Sequence, residues 1–162
     1  MYMHDYLSVM DDDLSQCLVL NTRMAARAVT RRYDRALRPF GITAAQFSIL
    51  TSMVKRPERS VTDMAKSIAI DRTTLSRNLD LLVRKGLVSA QDAAKGNGRL
   101  VALTEEGNLL VEQLLPHWRQ AQAEMQALLV APDLKTVVAG LQKLSQVQKI
   151  PRPRPATLSG EN

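Results

Sequence analysis

Cysteine is almost missing from the 162 residues: Cys17 stands alone, so no intrachain disulfide can hold the fold, and the usage fits a reducing compartment. Aromatic residues make up 4% and glycine occurs seven times, whereas Ala, Leu, Arg and Gln abound, a balance that favours helix over sheet. No apolar run approaches the roughly 18 residues needed to span a bilayer. The opening MYMHDYLSVMDDD is acidic rather than a secretory leader, so a cytoplasmic chain with no membrane partner is expected. Histidine is equally scarce, and His4, His117 and the single cysteine make no metal-ligand set. No nucleophile with a base, no paired carboxylates on a shared face and no phosphate-binding loop can be found, so neither an enzyme nor a cofactor is expected.

What is present is basic and helical. The net charge is +6 and unevenly placed: residues 42–103 hold ten Lys/Arg against five acids, and residues 22–40 hold six Arg against Asp34 alone. Such a footprint favours a polyanionic partner. Hydrophobic residues at 45% suffice for a core, and the length suits one domain with a dimerisation extension.

The chain reads as a series of helices. Asp11 to Asp13 can cap a first helix, and Leu14, Cys17, Leu18, Asn21, Met24, Ala25 and Ala28 keep helical spacing to about Arg38. Pro39 and Gly41 end it. Arg23, Arg27, Arg31 and Arg35 form an i, i+4 stripe, either a solvated face or one backing an anion. Thr43-Ala44-Ala45-Gln46 has the form of a capping box for a second helix to Lys55, burying Phe47, Leu50 and Val54. Arg56 to Arg59 is a polar turn. Ser60 then caps a third helix, in which Val61, Met64, Ala65 and Ile68 share a stripe.

Asp71 caps a fourth helix that runs to Lys85 and stops at Gly86. Leu75, Leu79, Leu82 and Val83 share its inner face, while Arg72, Thr73, Thr74, Ser76 and Arg77 crowd its first turn and a half. Short hydroxyl and guanidinium donors at a helix N-terminus match phosphates and base edges in a major groove. A bland reading, a solvated face with an ordinary cap, competes for this helix taken by itself. Ser60 and Thr62, opening the preceding helix, complete the candidate contacts there.

After Gly86 the period changes. Leu87 to Gln91 and Arg99 to Leu103 read as strands joined by a turn-rich loop, with Lys95, Asn97 and Arg99 near its tip. A basic hairpin beside a recognition helix suits phosphate or minor-groove contact. Thr104 caps a long helix to about Val130, with Leu109, Leu110, Leu114, Trp118, Ala121, Met125, Leu128 and Leu129 on a broad apolar face and a bend expected at Pro116. A last helix, Asp133 to Lys149, carries Leu134, Val137, Val138, Leu141, Leu144 and Val147 on one side. These faces exceed what a small winged domain can cover, which points to a second copy. The tail PRPRPATLSGEN has no hydrophobic period.

The order of parts, from Gly41-Ile42-Thr43-Ala44-Ala45-Gln46-Phe47 through the helical hairpin, Gly86-Leu87-Val88, the wing and Leu103-Thr104-Glu105-Glu106-Gly107, resembles the MarR family of bacterial transcription regulators over about residues 14–148. The resemblance implies a homodimer joined through its terminal helices, two winged lobes on double-stranded DNA with a palindromic operator, and a repressor released by a small aromatic or acyl-type effector. It places the effector between the dimerisation helices and the DNA lobe, where Arg23, Arg27, Phe47 and Trp118 are candidates; ordinary salt bridges and core packing are the competing account of each. Many members carry Asp-x-Arg in the wing, and here the corresponding stretch is Asn97-Gly98-Arg99. The hydroperoxide-sensing branch has a reactive cysteine early in its first helix, served by tyrosines. Cys17 lies about two residues out of step with it, and Ala44 and Phe47 stand where those tyrosines would be. A buried, inert Cys17 is therefore expected.

The fold expected is mainly α with a small β-hairpin wing, a winged helix-turn-helix with long N- and C-terminal dimerisation helices. Its divisions are 1–40 (arm and dimerisation helix), 41–103 (DNA-binding domain), 104–149 (C-terminal dimerisation helices) and 150–162 (disordered tail). Two further readings stay open: a redox-sensing repressor acting through Cys17, and a winged-helix interaction module with an acidic partner.

Overall fold

A computed structural model describes residues 14–55, 59–92 and 99–147. The arm, the Asp11 to Asp13 cap, the tip residues Lys95 and Asn97 and the tail lie outside them. A 3-10 turn, Leu14–Gln16, precedes helix α1, Leu18–Leu37. The first α-helix thus starts later than its apolar spacing suggested, and Cys17, in its N-cap position, makes no side-chain cap bond. After a second 3-10 turn, Arg38–Phe40, Gly41 takes φ 65°, the left-handed conformation that reverses the chain.

Helix α2, Ala44–Lys55, begins at the expected box: Thr43 N–H donates to Gln46 Oε1 at 3.1 Å and Gln46 N–H to Thr43 Oγ1 at 3.2 Å. This pairing lets Gln46 be buried among apolar neighbours without an unsatisfied amide oxygen. Asp34 of α1 adds a tertiary cap, its Oδ1 accepting from Ala44 N–H at 2.7 Å. The buried arc of α2 is Gln46, Phe47, Ile49, Leu50 and Met53; Val54 falls beyond its edge and is exposed, contrary to the sequence reading.

Strand β1, Arg59–Ser60, leads into helix α3, Val61–Ser67, and the pair Arg59↔Val101, Ser60↔Leu100 joins it to strand β3, Arg99–Leu103. Two residues cannot show an alternation, so the sequence read only a polar turn at Arg59. Ala69, at φ 53°, makes the turn from α3 to helix α4, Arg72–Arg84. Strand β2, Val88–Asp92, pairs antiparallel with β3 in the register Val88↔Leu103 and Ala90↔Val101, giving the order β1-β3-β2. Val88 and Val101 point into the same core as Leu37, Ile49, Leu50, Met64, Leu75, Leu79, Leu82 and Leu114.

Helix α5, Glu105–Leu128, continues through Pro116. Its buried residues include Gly107, Val111, Leu114 and Ala121, while Leu109 and Leu128 of the apolar face are exposed in the single chain. Tyr33 of α1 donates its phenol hydrogen to Gln122 Oε1, and burial, against the opposing charge of Arg32, raises the tyrosine pKa. The chain divides into two compact units, Met1–Gln122 and Ala123–Asn162. The second contains helix α6, Leu134–Leu144, capped by Asp133, whose Oδ1 accepts from Thr136 N–H at 2.7 Å. This helix is shorter than the pattern to Lys149 suggested, turning after Leu144.

Candidate nucleic-acid interface

Helix α4 is placed by its apolar side and displayed by its polar one. Leu75, Leu79 and Leu82 are each 0% exposed, which fixes the rotation of the helix about its axis. Asp71 caps the free end, Oδ1 accepting from Thr74 N–H at 2.8 Å. Hydrogen bonds from the Thr74 side chain and backbone hold the Asp71 carboxyl below its ordinary pKa, so the N-terminal turn stays capped by a carboxylate. Arg72, Thr73, Thr74 and Arg77 are exposed at this end, and Ser76 is half-buried. Asn78 donates to the Thr74 carbonyl at 2.9 Å. The result is a cluster of donor side chains on a rigid, carboxylate-capped helix end, an arrangement that suits phosphates and major-groove base edges.

Helix α3 packs against it. Ser60 is engaged as the cap, accepting from Asp63 N–H at 3.1 Å and donating to Asp63 Oδ2 at 2.8 Å, while Thr62 is exposed in the first turn. Arg99 opens β3, at the base of the wing. Among the described residues, no group of three or more His, Cys, Asp or Glu could hold a metal ion, and no helix is long and apolar enough to cross a membrane.

Phe47 and Trp118 come together, their rings 6.4 Å apart and stacked at 29°. They line a cleft of about 680 Å³ that also receives Ser48, Thr51, Ser52 and Lys55 of α2, Ser67 and Ile68 at the end of α3, and Leu115 of α5. The hydroxyls of Ser48, Thr51 and Ser52 donate to carbonyls of their own helix, at 2.7 to 3.0 Å, which leaves their oxygens able to accept, and the Ser67 hydroxyl donates to the Met64 carbonyl at 2.9 Å. Arg23 and Arg27 are exposed on α1 and are not among the residues lining this cleft. The sequence reading missed the polar wall; its signal was the i, i+3, i+4, i+7 spacing of Ser48, Thr51, Ser52 and Lys55. Cys17 is exposed, which corrects the expectation of a buried thiol: residues 15 to 20 have no cover in the single chain.

Fold and site together define a winged helix-turn-helix DNA-binding protein. A MarR family model matches residues 40–100. The transcriptional regulator MosR of M. tuberculosis, solved in complex with DNA, is 35% identical, with 85% of this chain and 100% of that chain covered and a TM-score of 0.76. A mutant MarR from E. coli complexed with operator DNA is 28% identical, with 83% and 99% covered and a TM-score of 0.72. Bordetella bronchiseptica BpsR, described for regulation of its DNA binding by 6-hydroxynicotinic acid, shares the fold at 24% identity, with 83% and 96% covered and a TM-score of 0.75. The chain belongs to the MarR family of DNA-binding transcription regulators.

Proposed function

We propose that the protein is a homodimeric, sequence-specific repressor that a small aromatic or acyl-type ligand releases from a palindromic operator. The observation that carries the dimer is apolar surface left open on two helices. On α1, Leu18, Val19 and Met24 are more than 60% exposed; on α6, Val138, Leu141 and Leu144 are exposed as well. Such faces in a water-soluble regulator need a cover, and a second copy supplies the two-fold symmetry that a palindrome requires.

In this reading Thr73, Thr74, Ser76 and Arg77 meet base edges, and Arg72, Ser60 and Thr62 meet the backbone. Lys95, Asn97 and Arg99 would add wing contacts, on the strength of the sequence. The 41–103 segment would be the reading unit, with dimerisation helices in 1–40 and 104–149. The cleft supports the effector: Phe47 and Trp118 offer a ring surface, Lys55 a cation and the serine and threonine oxygens acceptors. A ligand there would wedge α2 and the end of α3 against α5 and change the spacing of the reading helices, lowering affinity through its preference for the unbound geometry. The test is displacement of the chain from a selected duplex by aromatic acids and acyl thioesters, followed by fluorescence anisotropy. Release by none of them, with DNA binding intact, would refute control by this ligand class.

A second reading, a redox-responsive repressor acting through Cys17, requires the thiol, exposed in the single chain, to stay accessible when a second copy covers Leu18 and Val19 beside it. Peroxide would then weaken DNA binding by the wild type and leave Cys17→Ser unaffected; equal responses would exclude it.

A further inference from the structure

By charge alone Lys85 belongs to the basic footprint of the DNA-binding segment, yet its side chain is already engaged. Its Nζ donates to the Gly41 carbonyl at 2.7 Å, in the turn that precedes α2. Lys85 is also the C-cap of α4, its backbone N–H donating to the Leu81 carbonyl at 3.1 Å, and the Gly86 N–H that follows donates to the Val83 carbonyl at 2.9 Å. The next residues are held from the other side: the Thr104 hydroxyl donates to the Gly86 carbonyl at 2.7 Å, and Thr104 N–H to the Leu87 carbonyl at 3.2 Å. The far end of the reading helix is therefore tied to the turn before α2 and to the start of α5. A cation here also suits the negative end of the helix dipole.

The length of α4 makes these ties consequential. Its 13 residues extend roughly 20 Å at 1.5 Å per residue, so a tilt of about 3° at the tied end moves the reading end by about 1 Å. A hydrogen bond to a base edge does not survive a misplacement of that size, whereas attraction to a phosphate barely registers it.

We infer that Lys85 is a positioning residue: through the Gly41 carbonyl it sets the angle at which α4 presents Thr73, Thr74, Ser76 and Arg77, and it does not act as a phosphate contact. The inference rests on α4 being the reading helix. It assigns this lysine to specificity rather than to charge neutralisation.

The test compares full-length wild type, Lys85→Met and Arg77→Ala on two probes, a duplex selected by the wild-type chain from a randomised pool and a scrambled duplex of equal composition. Affinities are read by anisotropy at several salt concentrations. Lys85→Met is expected to weaken the selected duplex about three- to tenfold, the range one hydrogen bond of this kind supports. Affinity for the scrambled duplex and the salt slope should stay unchanged. The ratio of the two affinities is independent of the fraction of folded protein, so a loss of stability cannot imitate this result. Equal losses on both duplexes with a slope shallower by about one would make Lys85 a phosphate contact, and no change on either would deny it a role; both overturn the inference. If the wild type itself shows no preference, the reading of α4 fails and the inference with it. If Arg77→Ala erases the preference and Lys85→Met does not, the inference alone fails.

Discussion

Replacing Gly107 by alanine tests the junction on which the reading unit closes. Gly107 is buried in the first turn of α5, and a Cβ built there would lie 2.1 Å from the Leu87 carbonyl oxygen, 3.1 Å from its carbon and 3.2 Å from Leu103 Cδ2. The first contact is with backbone, so no side chain can swing aside; α5 or the Gly86-Leu87 turn must move by about 1 Å to restore van der Waals separation. Such a shift overpacks the site, at about 1 to 3 kcal/mol. It also strains the bonds Thr104 N–H to Leu87 O at 3.2 Å and Thr104 Oγ1 to Gly86 O at 2.7 Å, each worth about 1 kcal/mol. Alanine returns about 1 kcal/mol of helix propensity. The net expectation is a destabilisation of about 2 to 4 kcal/mol, or a Tm lower by about 5 to 15 °C for a chain of this size. Urea and thermal unfolding followed by circular dichroism, at one protein concentration because a dimer makes the midpoint concentration-dependent, measure it. A Gly107→Ala chain as stable as the wild type would refute the reasoning, since the gain in helix propensity would then meet no steric opposition.

Further outcomes follow from other parts of the molecule. Arg77→Ala should relax specificity at one operator position by about 1 to 3 kcal/mol, and equal loss on selected and random duplexes would count against base reading. Because Asp71 is held below the ordinary Asp pKa of 3.8, its cap contributes stability above that value and loses it as pH falls through the lower folded value. Asp71→Asn, which keeps an acceptor, should unfold with a weaker acid dependence over that window; an unchanged pH profile would deny the cap its role. Trp118 is the only tryptophan in the chain, so a ligand that enters the cleft and releases DNA should change indole emission with the same midpoint. Release without any change in emission would place the ligand elsewhere. Leu141→Glu should shift the sedimentation of the protein from dimer to monomer, and an undisturbed dimer would remove α6 from the interface.

Much of the fold was legible because its signals are local. The Thr43/Gln46 box, the Ser60 and Asp71 caps and the Gly86 stop each depend on a few neighbouring residues, and α2, α3 and α4 begin where those signals stand. The polar crowd at the start of α4 was legible for the same reason: its inner face is fully marked by Leu75, Leu79 and Leu82. What escaped depends on distant partners. Strand β1 exists only because β3 offers it an edge, Val54 is exposed because no neighbouring element reaches it, and Arg23 and Arg27 are not among the residues lining the cleft that Phe47 and Trp118 share.

From its sequence alone this chain determined a helical hairpin with a capped, donor-rich second helix, a following strand pair and apolar terminal helices, because capping and periodicity are properties of short stretches. Only the tertiary structure decided which polar residues act at a surface and which hold the frame. Lys55 and Lys85 count alike in a net charge, but one lines a cleft and the other is bonded to a carbonyl 44 residues away. Gly107 likewise reads as an ordinary residue in a helix until Leu87 is brought against it. Long-range packing brings those atoms within bonding distance, and composition does not encode it.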